Sequence, residues 1–164
     1  MTCPENAHKE NILIVDDQPG NLKVLISLLT KQGYIVQQAA SGAIALETVQ
    51  KRLPDLILLD IVMPEMSGFE VCEKLKSDEQ TCDIPVIFIS VLKETSYKVE
   101  AFKVGGVDYI TKPFRGEEIL ARVETHLKIR RMESAIKEKN RQLQESEERY
   151  RQMFQNNTAV KLLI

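Results

Sequence analysis

The sequence alternates between unbroken apolar runs and amphipathic segments. Three runs contain four consecutive apolar residues without polar alternation, a pattern typical of strands that are covered on both faces of a parallel sheet. Two shorter apolar runs follow turn residues and complete a predicted set of five strands. We place these strands at 11–15, 34–36, 56–59, 86–90 and 107–110.

The segments between the strands have the periodicity of helices. Apolar residues recur at spacings of three and four, and capping or stop residues such as Ser41 and Gly33 stand at the segment ends. Strands joined by crossover helices pair in parallel, so residues 11–128 are predicted to form an α/β domain with a doubly wound, five-stranded parallel sheet. Residues 1–10 are polar and aperiodic, which indicates a flexible tail.

The last predicted helix continues beyond this domain, because neither Pro nor Gly interrupts the chain from Glu117 to about Gln152. A mostly polar helix of that length needs a partner to persist in water. We expect residues 129–148 to form a helical linker that pairs as a parallel two-stranded coiled coil, and a lone solvated helix is the alternative. The predicted seam repeats every seven residues, with Ile129, Ile136, Leu143 and Tyr150 on one side and Met132, Lys139, Ser146 and Met153 on the other.

Composition narrows the classes of function. A net charge of −2 and a pI near 5.8 leave no basic stripe, so we expect no nucleic-acid binding in this segment. No stretch approaches the ~20 apolar residues that cross a bilayer. The three cysteines are odd in number and lack metal-ligand spacing, which indicates reduced thiols and a cytoplasmic location. A Gly-x-Gly-x-x-Gly or Gly-Lys-Ser/Thr loop is absent from the sequence, which argues against a dinucleotide or nucleoside triphosphate site.

Polar residues stand where the predicted strands end. Because the carboxyl ends of parallel strands lie along one edge of the sheet, Asp16, Asp17, Asp60, Ser90 and Lys112 should converge there. Clustered carboxylates repel one another unless a divalent cation neutralises them, and an all-oxygen site suits Mg²⁺. A carboxylate can also attack phosphorus, and Asp60 on the central strand is the candidate. Each residue has a structural alternative as a helix cap, a strand-end acceptor or a solvated loop lysine, but their joint placement favours a site.

The motifs around these residues resemble those of a response-regulator receiver domain, over roughly residues 11–128. The resemblance implies a flavodoxin-like fold with strand order 2-1-3-4-5, and it implies a signalling switch in a two-component phosphorelay instead of a turnover enzyme. The matching segments are Ile14-Val15-Asp16-Asp17, Leu59 to Pro64 with Gly68-Phe69-Glu70, Pro85 to Ser90, and Gly105 to Phe114.

Carried onto this sequence, the resemblance implies that Asp60 accepts a phosphoryl group from a phosphohistidine of a histidine kinase or phosphotransfer protein. Asp17, Asp60 and the backbone carbonyl of Val62 would bind Mg²⁺, and Asp16 would reach the ion through water. Lys112 would pair first with the carboxylate and then with the phosphoryl group, and the Lys112–Pro113 peptide bond would be cis.

The resemblance also implies a switch. Ser90 would turn towards the phosphoryl oxygen, and Tyr109 would then rotate inwards from outside into the vacated space. The surface formed by the fourth helix, the fifth strand and the fifth helix would report the change, and the chain would form a homodimer through the fifth helix and its extension.

Two other functions fit the same fold class. A Mg²⁺-dependent aspartyl phosphohydrolase would be expected to carry a second acid two residues after its nucleophile, where this chain has Val62. A flavodoxin-like cofactor binder would be expected to carry a Ser/Thr/Gly phosphate loop after the first strand, where Asp16 and Asp17 would repel a phosphate.

The end of the chain resembles the beginning of a PAS sensor domain. Residues 149–164 have the pattern of a lead-in helix, an asparagine turn and a first strand. A PAS core cannot form from one strand, so we interpret this segment as a stub that would belong to a longer protein.

Overall fold

The structure is a computed structural model that describes the backbone of residues 9–162 and the side chains of residues 9–156. Residues 1–8 of the expected flexible tail therefore lie outside the described part. Strands and helices alternate as predicted: β1 Asn11–Val15, α1 Pro19–Lys31, β2 Ile35–Ala39, α2 Gly42–Lys51, β3 Leu56–Asp60, α3 Gly68–Lys76, β4 Val86–Ser90, α4 Thr95–Lys103, β5 Asp108–Thr111 and α5 Gly116–Leu162.

The five strands form one parallel sheet in the order β2-β1-β3-β4-β5, which confirms the predicted fold class. The register aligns the strand ends: Val15 pairs with Leu59, Asp60 with Ile89, and Ser90 with Thr111. The polar residues that end or follow β1, β3, β4 and β5 therefore lie along one edge.

The sheet is buried on both faces, which is why its central strands are continuously apolar. Successive side chains point to opposite faces, so Leu13 and Ile57 pack with α2, α3 and α4, whereas Ile12 and Ile14 pack with α1 and α5. Leu25 and Leu29 of α1 are almost fully buried in the second layer. This packing holds the strand ends and the start of α1 as one rigid frame.

The long helix α5 differs from the expectation at its end. The chain divides into a compact unit that ends at Leu127 and a second unit, from Lys128, that is helical through Leu162. The expected asparagine turn at Asn156 and the strand after it do not form, because this stretch contains no Pro or Gly that would stop the helix. Residues 163–164 lie outside the described part, and the resemblance to a PAS domain stays a prediction.

Within residues 9–162, no helix combines the length with the apolar character that a membrane span requires.

A cluster of charged side chains joins the start of β5 to α5. Oδ2 of Asp108 lies 2.9 Å from Nη1 of Arg122 and 2.9 Å from Nε2 of His126, and Oδ1 accepts the amide of Tyr109 at 2.8 Å. Burial alone would raise the pKa of the Asp108 carboxyl, but the hydrogen bonds from His126, Tyr109 and Arg122 outweigh it and lower that pKa. Asp108 is therefore anionic at neutral pH and anchors β5 to α5.

The variant Asp108→Asn should lose part of this anchor. Hydrogen bonds to a charged group contribute a few kcal/mol at most and Arg122 is half-exposed, so we expect the free energy of unfolding to fall by about 1–2 kcal/mol at pH 7. The pKa of Asp108 is lower in the folded chain than its ordinary value of 3.8, so the unfolded chain binds more protons in acid. The difference between the two proteins should thus persist above pH 4 and shrink below it.

Urea unfolding followed by circular dichroism at pH 7 and at pH 3.5 measures both effects. The exposed Glu79→Gln serves as the control that also removes one negative charge, and a difference between wild type and Asp108→Asn that grew in acid would contradict the assignment.

Candidate functional site

The structure brings three of the predicted site residues into direct contact at the carboxyl edge of the sheet. Nζ of Lys112 lies 3.0 Å from Oδ2 of Asp16 and 3.2 Å from Oδ2 of Asp60. Asp16 follows β1, Asp60 is the last residue of β3, and Lys112 follows β5. The Lys112–Pro113 peptide bond is cis, as the resemblance implied. The lysine therefore bridges two carboxylates instead of pairing with Asp60 alone.

Three carboxylates share this site. Asp16, Asp17 and Asp60 each offer an oxygen atom, and these atoms lie within 4.8 Å of one another. Asp16 and Asp60 are buried, whereas Asp17 is half-buried. Lys112 supplies one positive charge against three negative charges, and small all-oxygen clusters of this kind suit Mg²⁺. The donor set therefore fits the ion that the sequence predicts.

Burial and neighbouring charges shift the pKa values of Asp60 and Lys112, which face each other in the site. Burial raises the pKa of the Asp60 carboxyl, and the Asp16 carboxylate raises it further, against the opposing effects of Lys112 and of the Val62 amide. Burial alone would lower the pKa of Lys112, but the hydrogen bond that it donates to Asp16 and the charges of both carboxylates raise it. The ammonium is therefore charged at neutral pH and is available to an anion that arrives at Asp60.

Two residues of the segment after β1 also donate hydrogen bonds to the Asp16 carboxylate. The backbone amide of Gln18 donates to Oδ1 at 2.8 Å, and Nδ2 of Asn21 donates to Oδ2 at 3.2 Å. The sequence indicated only a turn and a helix start at these positions. An amide side chain one helical turn after two strand-end acids was the signal that could have suggested the contact.

The loop after Asp60 is held close to the end of β3. The amide of Gly68 donates to the carbonyl of Ile61 at 2.9 Å, and a Cβ atom at Gly68 would lie 2.2 Å from the carbonyl oxygen of Asp60. The backbone amide of Val62 lies close enough to the Asp60 carboxyl to lower its pKa, and Val62 is 53% exposed. The absence of a side chain at Gly68 thus lets the loop fold against the strand and places Val62 beside the acid.

Ser90 and Tyr109 lie next to each other behind the site. Ser90 is fully buried, and its Oγ accepts the amide of Leu92 at 3.2 Å. The ring of Tyr109 is only 8% exposed, and its hydroxyl donates to the carbonyl of Leu92 at 2.5 Å. Burial raises the pKa of that hydroxyl, which keeps it a donor. Tyr109 therefore lies inward in this structure, with its hydroxyl on the loop after β4, and its role in a switch stays a prediction.

Comparisons with known proteins agree on one family. A family model described as "Response regulator receiver domain" matches residues 12–124. The chain is 43% identical over 117 residues to the DNA-binding dual master transcriptional regulator RpaA of Synechocystis, covering 71% of this chain and 48% of that protein. It is 41% identical over 114 residues to the response regulator PleD of Caulobacter vibrioides, covering 70% and 25%. The chain thus spans less than half the length of these curated relatives.

A solved structure supports the same grouping. The chemotaxis protein CheY4 of Vibrio cholerae aligns with a TM-score of 0.69 at 30% identity, over 72% of this chain and 98% of that chain.

The close approach of Gly68 to Asp60 can be tested by adding one methyl group. We expect Gly68→Ala to lower the free energy of unfolding by about 1–3 kcal/mol, because backbone atoms of Asp60 and Ile61 must move to admit the methyl. The shift should also displace the acid, so Mg²⁺ binding should weaken. Thermal unfolding with and without Mg²⁺ measures both.

The matched control is Gly20→Ala in α1, where no side chain or backbone atom beyond the adjoining residues and the helix's own backbone lies within 4 Å of the added Cβ. That variant should be at least as stable as wild type, because alanine favours a helix over glycine. Equal effects of the two substitutions would show that the loop tolerates a side chain at Gly68.

Proposed function

Since the chain belongs to the response regulator receiver family, whose domains accept phosphoryl groups in two-component signalling, we propose that Asp60 is the acceptor. The observation that carries this assignment is the contact of Nζ of Lys112 with the carboxylates of both Asp60 and Asp16. A buried carboxylate at the end of the central strand thus has a cation beside it and two further acids within reach.

The reaction that these residues support is attack on phosphorus by a carboxylate oxygen of Asp60. The new O–P bond forms as the N–P bond of a phosphohistidine breaks, and the imidazole leaves with the electron pair. Lys112 turns from the carboxylates to the phosphoryl oxygens and offsets their charge. Ser90, whose hydroxyl lies at the end of the neighbouring strand, donates to one of those oxygens.

Asp17, Asp60 and the backbone carbonyl of Val62 would hold Mg²⁺, with Asp16 acting through water. When bound, the ion supplies positive charge that offsets the phosphoryl oxygens and the three acids. The oxygen-only donor set supports this assignment.

The chain acts as a switch and not as a hydrolase for metabolites. Efficient hydrolysis through an aspartyl phosphate would need a nearby general acid, and the residue two positions after Asp60 is Val62, which is apolar and half-exposed. A flavodoxin-like binder is disfavoured because Asp16 and Asp17 occupy the place of a phosphate loop. The further reaction that we propose for this chain is the hydrolytic loss of the phosphoryl group from Asp60.

The readout is the surface of α4, β5 and α5, and Ser90 and Tyr109 form the switch. The hydrogen bond of Tyr109 to the carbonyl of Leu92, in the loop after Ser90, supports this pairing, because a movement of Ser90 would act on the same loop. The donor is a histidine kinase or phosphotransfer protein, the location is the cytoplasm, and this segment contacts neither nucleic acid nor membrane.

The second part of the proposal is that the α5 extension pairs with a second copy as a parallel coiled coil. Its apolar seam is exposed along the helix, where Ile136 is 58% and Leu143 61% exposed. Arg141 forms ion pairs with Glu138 and Glu145 on the opposite side of the helix. A seven-residue apolar repeat with its ion pairs on the outer surface is the arrangement of a two-stranded coiled coil.

Intact-mass spectrometry with acetyl phosphate and Mg²⁺ tests the acceptor. The wild-type chain should gain the mass of one phosphoryl group, and Asp60→Asn should gain none, because an amide is not nucleophilic enough to replace the carboxylate. Asp83→Asn, at an exposed position, should be phosphorylated like wild type. An adduct on Asp60→Asn would assign the acceptor elsewhere.

Sedimentation equilibrium tests the coiled coil. We expect a dimer for the wild type and a monomer for Leu143→Glu, because a buried like-charged pair opposes association. Ser134→Glu, on the outer surface, should stay dimeric. Lys139→Leu should dimerise more tightly, because it removes a charge from the seam. A wild type and Lys139→Leu that were both monomeric at high concentration would contradict the pairing.

A further inference from the structure

The Asp16 carboxylate is almost completely buried, at 2% exposure, and three donors reach it. Oδ1 accepts only the backbone amide of Gln18 among the hydrogen bonds described above. Oδ2 accepts two side-chain donors, Nζ of Lys112 at 3.0 Å and Nδ2 of Asn21 at 3.2 Å. One oxygen atom is therefore shared by the lysine of the site and by an amide that the reaction does not otherwise use.

This sharing matters when Lys112 leaves. A buried carboxylate that loses its cation is strongly destabilised unless other donors remain. In the proposed reaction Lys112 turns to the phosphoryl group, and Asn21 is then the side-chain donor that stays on Oδ2. The neutral amide can satisfy the oxygen without adding a charge that would repel a divalent cation.

The fold holds Asn21 rigidly for this role. Asn21 lies in the first turn of α1, where its backbone amide donates to the carbonyl of Gln18 at 3.1 Å. The same helix is anchored in the core by Leu22, Leu25 and Leu29, so Nδ2 is presented from a fixed element.

We propose that Asn21 is a positioning residue that fixes the orientation of the Asp16 carboxylate, which would help to hold Mg²⁺, and that stays hydrogen-bonded to it while Lys112 contacts the phosphoryl group. The inference rests on the proposed function, because it assigns Asn21 to the same site. It adds a residue outside the acids, the lysine and the hydroxyl that form the site itself.

The test is calorimetric titration of the full chain with Mg²⁺, without a phosphodonor. Loss of a group that orients a metal ligand typically costs 10-fold or more in affinity, so Asn21→Ala should bind Mg²⁺ about tenfold more weakly than wild type. Asn21→Gln keeps the amide donor and should recover part of the affinity. Lys23→Ala, an exposed change on the same helix, should bind like wild type.

Thermal unfolding separates positioning from folding. Asn21→Ala should melt close to wild type in chelator and gain less stability on addition of Mg²⁺. Asn21→Ser suits the first turn of a helix and has a side chain too short to reach Oδ2, so it should match Asn21→Ala and replace it if the alanine variant folds poorly.

The outcomes distinguish the two proposals. A wild-type chain that neither binds Mg²⁺ nor accepts a phosphoryl group would overturn the proposed function. A wild type that does both, with Asn21→Ala and Asn21→Ser unchanged in Mg²⁺ affinity, would overturn the role of Asn21 alone.

Discussion

The candidate site depends on a largely buried ammonium group that lies between two buried carboxylates. Lys112 reaches Asp16 at 3.0 Å and Asp60 at 3.2 Å, so one positive charge holds the ends of β1 and β3 to the segment after β5. Such a pair is costly to bury and is weak evidence for stability by itself. In the proposed reaction this pair is exchanged: Mg²⁺ would take over part of the charge of Lys112, and the phosphoryl group would attract the lysine.

That exchange requires that the frame does not collapse when Lys112 moves. The two apolar layers supply the frame, since the strand ends are continuous with fully buried residues such as Val15 and Leu59. The loop after Asp60 is fixed by the contact of Gly68 with the strand, and Asp16 keeps the donors Gln18 and Asn21. Asp16 and Asp60 are therefore each held in place by neighbouring contacts that do not involve Lys112.

The fold and the positions of the acids could be predicted from the sequence because both follow from strand periodicity and from the common edge of a parallel sheet. The partners of those acids could not, since a contact such as Asn21 with Asp16 depends on the rotation of α1 about its axis. His126 carried no distinguishing signal, and its bond to Asp108 appears only when α5 is packed on β5. The inward position of Tyr109 depends on the path of the loop at Leu92.

The remaining error, at residues 156–162, has a different origin. An asparagine pair resembles a turn, but no Gly or Pro stops the helix there, and helix propagation adds a hydrogen bond for each residue ordered. The four-residue strand β5 and the residue after it are bonded to three other parts of the structure. Asp108 at its start is bonded to α5, Tyr109 within it is bonded to the loop after β4, and Lys112 after its end is bonded to the acids. In the proposed switch, a displacement of Lys112 would therefore act on a strand whose other end is bonded to α5.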